Sequence, residues 1–157
     1  MNTLVLYESE FGNTRKIAEY IGKSLEARGP VRVSPVGAYN PSFLEGVDLV
    51  FVGGPTQAHS MTVNMRHFLD RLQSKPAGID VAAFDTRIKG PIFLWGSAAK
   101  EIATRLHAAG FEVVAEPESF LVTLGKAPVL HPGEDARSAA WAVSVAERAQ
   151  SRVPAAV

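Results

Sequence analysis

The 157-residue sequence contains no cysteine and has no excess of charge of either sign. Without cysteine the chain has no disulfide framework, zinc ribbon, iron–sulfur cluster or thiolate nucleophile. Its 16 Lys and Arg residues balance 16 Asp and Glu residues. This balance argues against nucleic acid as the main partner, because nucleic-acid binding needs a basic excess. It also argues against the strongly acidic surface of a carrier that docks by charge.

Long hydrophobic runs are missing as well. No apolar run approaches the roughly 18 residues that indicate a membrane span, and residues 1–6 lack the charged n-region and cleavage site of a signal peptide. We therefore expect no membrane partner and a cytoplasmic location. The remaining composition, 46% hydrophobic and 20% charged, is that of an ordinary globular protein. It predicts a single domain over residues 1–152, followed by a loose tail over residues 153–157.

Apolar runs typical of strands alternate along the chain with apolar residues at helical spacing. Strands are predicted over residues 3–7, 31–36, 47–52, 81–84 and 111–114, with residues 120–122 as an extension or a separate edge piece. Helices are predicted over residues 17–25, 65–72, 102–106 and 134–148. Five strands alternating with helices predict a doubly wound α/β fold: a parallel sheet with right-handed crossovers and a layer of helices on each face.

Ligands of such sheets bind beyond the carboxyl ends of the strands, where the strand order reverses. Three loops are therefore candidates, over residues 8–14, 53–64 and 85–100. The first suits a phosphate group, because its backbone N–H groups lead into a helix N-terminus and Gly12 allows close approach or a positive φ. Ser9, Asn13 and Thr14 add polar donors. Alternatively, Asn13 or Thr14 only caps the helix.

Two other anion-binding motifs are absent from the sequence, and the first loop contains two acidic residues. No Gly-Lys-Ser/Thr or G-x-G-x-x-G follows any predicted strand, so the Walker and dinucleotide fingerprints are excluded. Glu8 and Glu10 are expected to face solvent, since inward carboxylates would repel an anion. The four histidines lack metal-site spacing with carboxylates, and we predict neither a metal site nor a catalytic residue.

The chain resembles the flavodoxin family over essentially its whole length. Three motifs carry the resemblance, in order and at similar spacing: Ser9-x-Phe11-Gly12-Asn13-Thr14, Gly53-Gly54-Pro55-Thr56 with the later Phe68-Leu69-Asp70-Arg71-Leu72, and Gly110-Phe111-Glu112-Val113-Val114 before the terminal helix. The resemblance implies a five-stranded sheet in the order 2-1-3-4-5 and non-covalently bound FMN. Flavodoxin is itself the standard example of an FMN site at the switch point between strands 1 and 3.

The resemblance also implies which residues contact FMN. They are Ser9, Glu10, Phe11, Gly12, Asn13 and Thr14 in the first loop, Pro55, Thr56, Gln57, Ala58 and His59 in the second, and Asp85, Thr86, Arg87, Trp95 and Gly96 in the third.

Both flavin loops depart from the family pattern. In the second loop no Trp or Tyr follows Thr56, so His59 would stack on the flavin or bond its edge; alternatively it is a surface histidine. In the third loop Trp95 is the best aromatic cover for the ring. Alternatively, Trp95 packs its own apolar run against the sheet.

The charges of the flavin loops point toward a readily reduced cofactor. Residues 53–64 carry no charge, and residues 85–100 hold one acid, Asp85, against Arg87, Lys89 and Lys100. Cations near a flavin favour its anionic, fully reduced form. Three functions stay open: an electron carrier working with a redox partner protein or a small electron acceptor, an FMN-dependent NAD(P)H or quinone-type reductase, and a binding module that has lost or weakened FMN binding.

Overall fold

A computed structural model describes residues 1–72 and 78–152. The strands are β1 Thr3–Tyr7, β2 Val31–Pro35, β3 Leu49–Pro55, β4 Asp80–Ile88, β5 Glu112–Val113 and β6 Glu118–Val122. The helices are α1 Asn13–Leu25, α2 Val63–Arg71, α3 Ile92–Trp95, α4 Ala98–Ala108 and α5 Glu134–Arg152. Short 3₁₀ turns cover Glu26–Arg28, Val36–Ala38 and Pro41–Leu44. No helix within these two ranges is both long and apolar enough to cross a membrane. The tail predicted at residues 153–157 lies outside the described residues.

The strands form one sheet in the order β2-β1-β3-β4-β5, as predicted. Neighbouring strands are parallel, and the register places Val5 of β1 beside Val33 of β2 and Phe51 of β3. After β1 the chain forms β2 on one side of it and then returns to form β3 on the other side. The strand order therefore reverses between β1 and β3. The carboxyl ends of β1 and β3 therefore border the crevice in which such folds bind ligands.

The fifth position of the sheet is shared by two short strands rather than filled by one. β5 pairs with the start of β4, Val81 beside Val113, and β6 pairs with its end, Thr86 beside Phe120. The strand predicted over residues 111–114 is thus only two residues long. Pro117 lies between the two pieces, and because proline has no backbone N–H, it cannot donate to the ladder there.

Successive strand residues point to opposite faces, so each face has its own core. Val5, Phe51 and Phe84 pack with α1 and α5, whereas Leu6 and Val52 pack with α2 and α4. The continuous apolar strands are explained by this arrangement, because a parallel sheet covered on both sides needs apolar residues at every position.

Trp141 of α5 belongs to the first of these cores. Its ring meets those of Phe51, Phe84 and Phe120 edge-on, with centroids 5.5, 6.3 and 5.8 Å apart. Trp141 is thereby part of the core, and Trp95 is left as the indole of the third loop.

Candidate functional site

The first loop leads into an open helix N-terminus. α1 begins at Asn13, and Gly12 before it has the left-handed backbone φ of 88°. No side chain among residues 1–72 and 78–152 caps this end, so the alternative in which Asn13 or Thr14 is only a cap is wrong. A Cβ atom at Gly12 would meet nothing within 4 Å. Ser9 Oγ supports the turn before the helix by accepting the Gly12 N–H at 3.1 Å.

The side chains of Asn13 and Thr14 fasten this loop to its neighbours. Asn13 Nδ2 donates to the carbonyl of Pro128 at 2.7 Å, and the hydroxyl of Thr14 bonds that of Thr86 in β4 at 2.7 Å. Both residues are buried. Their side chains position the loop in this structure, while the backbone N–H groups of the first turn of α1 have no partner within the helix.

The two glutamates of the first loop reach toward the second loop. Glu10 is exposed, as expected, but Glu8 is only half-exposed. The carboxylate of Glu8 accepts the hydroxyl of Thr62, and that of Glu10 accepts the amide of Gln57. Their carboxylates are thus held by loop partners on the side of α2.

The second loop starts later than predicted and closes as a tight turn. β3 continues through the two glycines to Pro55, because its backbone keeps pairing with β4. Gln57 and Ser60 then exchange two backbone hydrogen bonds of 2.8 and 3.0 Å. Between them Ala58 and His59 both have positive φ, 46° and 72°, which costs energy for residues other than glycine. The turn presents His59 at the surface, where it is exposed.

The sequence predicted a loop at Asp85, Thr86 and Arg87. In the structure these residues lie on strand β4. β4 extends to Ile88 because β6 pairs with its last five residues. Asp85 is fully buried. Its Oδ2 accepts hydrogen bonds from Thr56 Oγ1 at 3.1 Å, Ser97 Oγ at 2.7 Å and the Ala99 N–H at 2.9 Å. The carboxylate therefore ties β4 to the second loop and to the start of α4, which Ser97 caps.

Arg87 places a cation at the centre of the site. Its Nη1 donates to the carbonyls of Ile88 and Gly90 at 3.1 and 2.9 Å, which fixes the guanidinium at the end of β4. Its Nε is buried and bonds no described residue. A buried N–H without a partner is costly, and it marks a place where an acceptor would be stabilised.

Trp95 ends the short helix α3, and this helix does not pack its apolar run against the sheet. Phe93 is 87% exposed, so that alternative is wrong. The indole of Trp95 instead covers Gly90, where a side chain would overlap it. Gly96 follows with a φ of 72°, and a Cβ there would overlap the carbonyl of His59. The second and third loops are thus in direct contact, as a shared ring site requires.

Two adjoining clefts result from this arrangement. The first, here called the helix cleft, has a volume of about 200 Å³ and is bordered by the first loop, Gln57 and residues 123–128. The second, the tryptophan cleft, has a volume of about 170 Å³ and is bordered by Ala58, His59 and Trp95. They share Thr56, Arg87 and Ile88, so the two clefts lie side by side at the ends of β3 and β4.

Larger but more open hollows lie on the other side of the first loop. One of about 630 Å³ faces β2 and α2, and another of about 680 Å³ lies between the first loop and residues 57–66. Neither is lined by a residue that holds a buried polar atom without a partner among the described residues, whereas Arg87, whose Nε is such an atom, lines both clefts. We therefore place the candidate site in the two clefts.

One wall of the helix cleft escaped the sequence analysis. Thr123, Gly125 and Pro128 line it, and Pro128 also holds Asn13. The sequence carried a signal for this loop, since Gly125 and Pro128 follow the apolar residues 120–122. It was missed because residues 111–114 were interpreted as the last main strand, which placed the carboxyl edge too early.

Comparison with known proteins fits this geometry. A family model of the flavodoxin domain matches residues 4–88, which span β1 to β4 with the first two loops. This chain belongs to the flavodoxin domain family. A flavodoxin from the domain Archaea covers 96% of this chain with 99% of its own length, at a TM-score of 0.79 and 24% identity. Flavodoxin 1 from Bacillus cereus covers 94% of this chain with 98% of its own length, at a TM-score of 0.78 and 17% identity.

Other flavodoxin-fold proteins are similar as well. A flavodoxin, WrbA-like protein from Agrobacterium tumefaciens covers 96% of this chain with 98% of its own length, at a TM-score of 0.71 and 16% identity. At these identities the likeness concerns the flavodoxin-like fold.

Proposed function

We propose that this flavodoxin-family protein binds FMN non-covalently in the two clefts and carries electrons between redox proteins. The observation that carries the proposal is the open N-terminus of α1, which leads directly into a cleft that continues to Trp95. When bound, FMN supplies reversible one- and two-electron reduction.

The first loop fits a phosphate group. The helix start is uncapped, its first turn contains no acidic residue, and Asn13 and Thr14 of that turn line the helix cleft. Backbone N–H groups and the positive end of the helix then meet an anion together. Glu10 lines the helix cleft, but its carboxylate is bonded to Gln57. Ser9, Phe11, Asn13 and Thr14 complete the proposed phosphate end.

The tryptophan cleft fits a flat, apolar ring with polar edges. Trp95 and Ile88 give it apolar walls, and the backbone of Ala58 and His59 reaches it from the facing loop. Gly96 keeps the two loops close. Pro55 and Thr86 line the neighbouring helix cleft at the strand ends. Asp85 takes part only indirectly, because its buried carboxylate holds Thr56 and the start of α4.

The charge of the cleft favours full reduction of the cofactor. Arg87 is the only Lys or Arg of the described ranges that lines either cleft, and no described carboxylate lines the tryptophan cleft. A cation near a flavin stabilises the anionic reduced form more strongly in a partly buried site than in water. We therefore expect a higher second-electron potential than in a flavodoxin with acidic flavin loops.

The same charge pattern supports a second candidate, an FMN-dependent NAD(P)H or quinone-type reductase. A cation at the cleft suits an acceptor of two electrons as well as a one-electron carrier. The two functions are separated by NAD(P)H oxidation. Rapid oxidation by the FMN-loaded protein without a separate reductase indicates the enzyme, and no oxidation indicates the carrier.

The phosphate assignment is tested by comparing FMN with riboflavin, which lacks the phosphate. Wild type should bind FMN at least about tenfold more tightly, a difference of about 1.4 kcal/mol. Thr14→Leu places bulk at the helix start and should remove most of this preference. Thr86→Val is the matched control, since it breaks the same Thr14–Thr86 hydrogen bond without adding that bulk. Equal affinity of wild type for both flavins would contradict the assignment.

A further inference from the structure

Large apolar side chains are exposed on the elements that border the two clefts. On α3, Phe93 and Leu94 are 87% and 56% exposed; across the helix cleft, Leu124 is 77% and Phe11 57% exposed. We call these four residues the apolar rim. Monomeric proteins rarely expose several large apolar side chains close together unless the surface binds something.

A ligand inside the clefts would leave most of the rim exposed. Phe93, Leu94 and Leu124 line neither cleft, whereas Trp95 and Phe11 do. The helix α3 is short and folds back through Gly90 and Gly96, so its outer side chains point away from the sheet core. These side chains therefore need a partner other than a bound cofactor.

Two exposed lysines stand beside the rim. Lys89 precedes α3 and Lys126 follows Leu124; both are exposed, and neither forms an ion pair with a described residue. Glu8 and Glu10 of the same edge keep their negative charge, but Thr62 and Gln57 of the second loop hold their carboxylates in place. A face that complements the rim would be apolar at its centre and bordered by carboxylates.

We propose that the apolar rim, with Lys89 and Lys126, is the docking surface for a redox protein whose contact face is apolar and bordered by carboxylates. The inference rests on the proposed electron transfer through these clefts. A second copy of this chain fits less well, because a symmetric pairing through the rim would bring like-charged lysines together. Aromatic and aliphatic anchors inside a charged border are the usual composition of a protein interface.

The test measures binding of the FMN-titrated protein to two probes of opposite charge. An acidic [2Fe–2S] ferredoxin should bind, and its dissociation constant should rise with salt because exposed charges are screened. A basic c-type cytochrome should bind at least about tenfold more weakly. Equal or tighter binding of the cytochrome, or no binding of the ferredoxin, would overturn the proposal.

Variants locate the surface. Phe93→Ser with Leu94→Ser should weaken ferredoxin binding at least about tenfold, and Lys89→Glu with Lys126→Glu should shift preference toward the cytochrome. Tyr20→Ser on α1 is the matched control: Tyr20 is also exposed, at 36%, and lines neither cleft, so binding should be unchanged. Circular dichroism confirms that each variant is folded. An unchanged affinity of the folded Phe93/Leu94 variant would overturn the proposal.

Flavin content of the same samples separates this proposal from the proposed function. Ferredoxin binding without FMN binding contradicts the cofactor assignment and supports the surface. FMN binding without ferredoxin binding supports the cofactor assignment and contradicts the docking surface. Sedimentation tests whether a second copy of this chain occupies the rim, and vesicles of anionic phospholipid test whether a membrane surface does. A dimer, or vesicle binding, that the Phe93/Leu94 variant abolishes would overturn the proposal.

Discussion

Replacing Asp85 should loosen the floor of the candidate site. Its Oδ2 accepts three hydrogen bonds, from Thr56, Ser97 and the N–H of Ala99, and the residue is fully buried. Hydrogen bonds to a charged group contribute roughly 1.5–3 kcal/mol each, and a buried donor left without an acceptor costs about 1–3 kcal/mol. In Asp85→Ala the two hydroxyls can rotate toward other acceptors, but the N–H of Ala99 cannot.

We therefore expect Asp85→Ala to lower the free energy of unfolding by about 3 kcal/mol. Urea unfolding measures it: with a slope of about 2 kcal/mol per M, the midpoint should fall by roughly 1.5 M while the slope stays constant. Asp85→Asn is the matched control, because it keeps an acceptor of the same shape and should lose less. A loss below about 1 kcal/mol in the alanine variant, or an equal loss in both, would refute the role of the carboxylate.

Three further predictions concern single residues. Ala58→Gly should raise the free energy of unfolding by up to about 1 kcal/mol, because a positive φ is strained for alanine; lower stability in thermal or urea unfolding would contradict this. Glu134→Gln should cost about 1.5 kcal/mol at pH 7. Burial alone would raise the pKa of Glu134, but hydrogen bonds from Arg137 and the Leu121 N–H outweigh it and lower that pKa below its usual 4.5. This loss in free energy of unfolding should therefore persist above pH 4.5 and vanish as the pH falls through the lowered pKa. A loss that persists in acid would contradict the prediction. Arg87→Gln should lower the second-electron potential of the FMN-loaded protein in a potentiometric titration, whereas Lys89→Gln, outside both clefts, should leave it unchanged; equal potentials in all three proteins would contradict the role of Arg87.

The sequence predicted those elements whose residues are dictated by local pattern. β1 lies over the predicted residues 3–7, because a continuous apolar run can be buried on both faces only in a covered parallel sheet. The cap of α4 is equally local, since the Ser97 hydroxyl accepts the N–H of Lys100, three residues on.

The failures occurred where distant parts of the chain decide the structure. Asp85, Thr86 and Arg87 are polar and look like loop residues, yet pairing with β6, over 30 residues later, keeps them in β4. Nothing near Asp85 in the sequence indicates that its carboxylate is consumed by Thr56, Ser97 and Ala99. Which cleft wall a residue joins depends on such long-range contacts.

The exposed helix α3 was unexpected for a similar reason. The run Ile92–Trp95 is as apolar as a buried strand, so pattern alone favours burial. In the structure the left-handed Gly96 meets the carbonyl of His59 and turns the run outward. The apolar rim could therefore not be predicted from the sequence.

Titration of the purified, flavin-free protein with FMN tests the cofactor assignment directly. Flavin fluorescence or calorimetry should show saturable binding of one FMN per chain with a dissociation constant of about 1 μM or lower, equivalent to roughly −8 kcal/mol. If binding does not saturate at FMN concentrations up to about 100 times that dissociation constant, the assignment is contradicted. The chain would then be a flavodoxin-fold binding module that has lost its flavin.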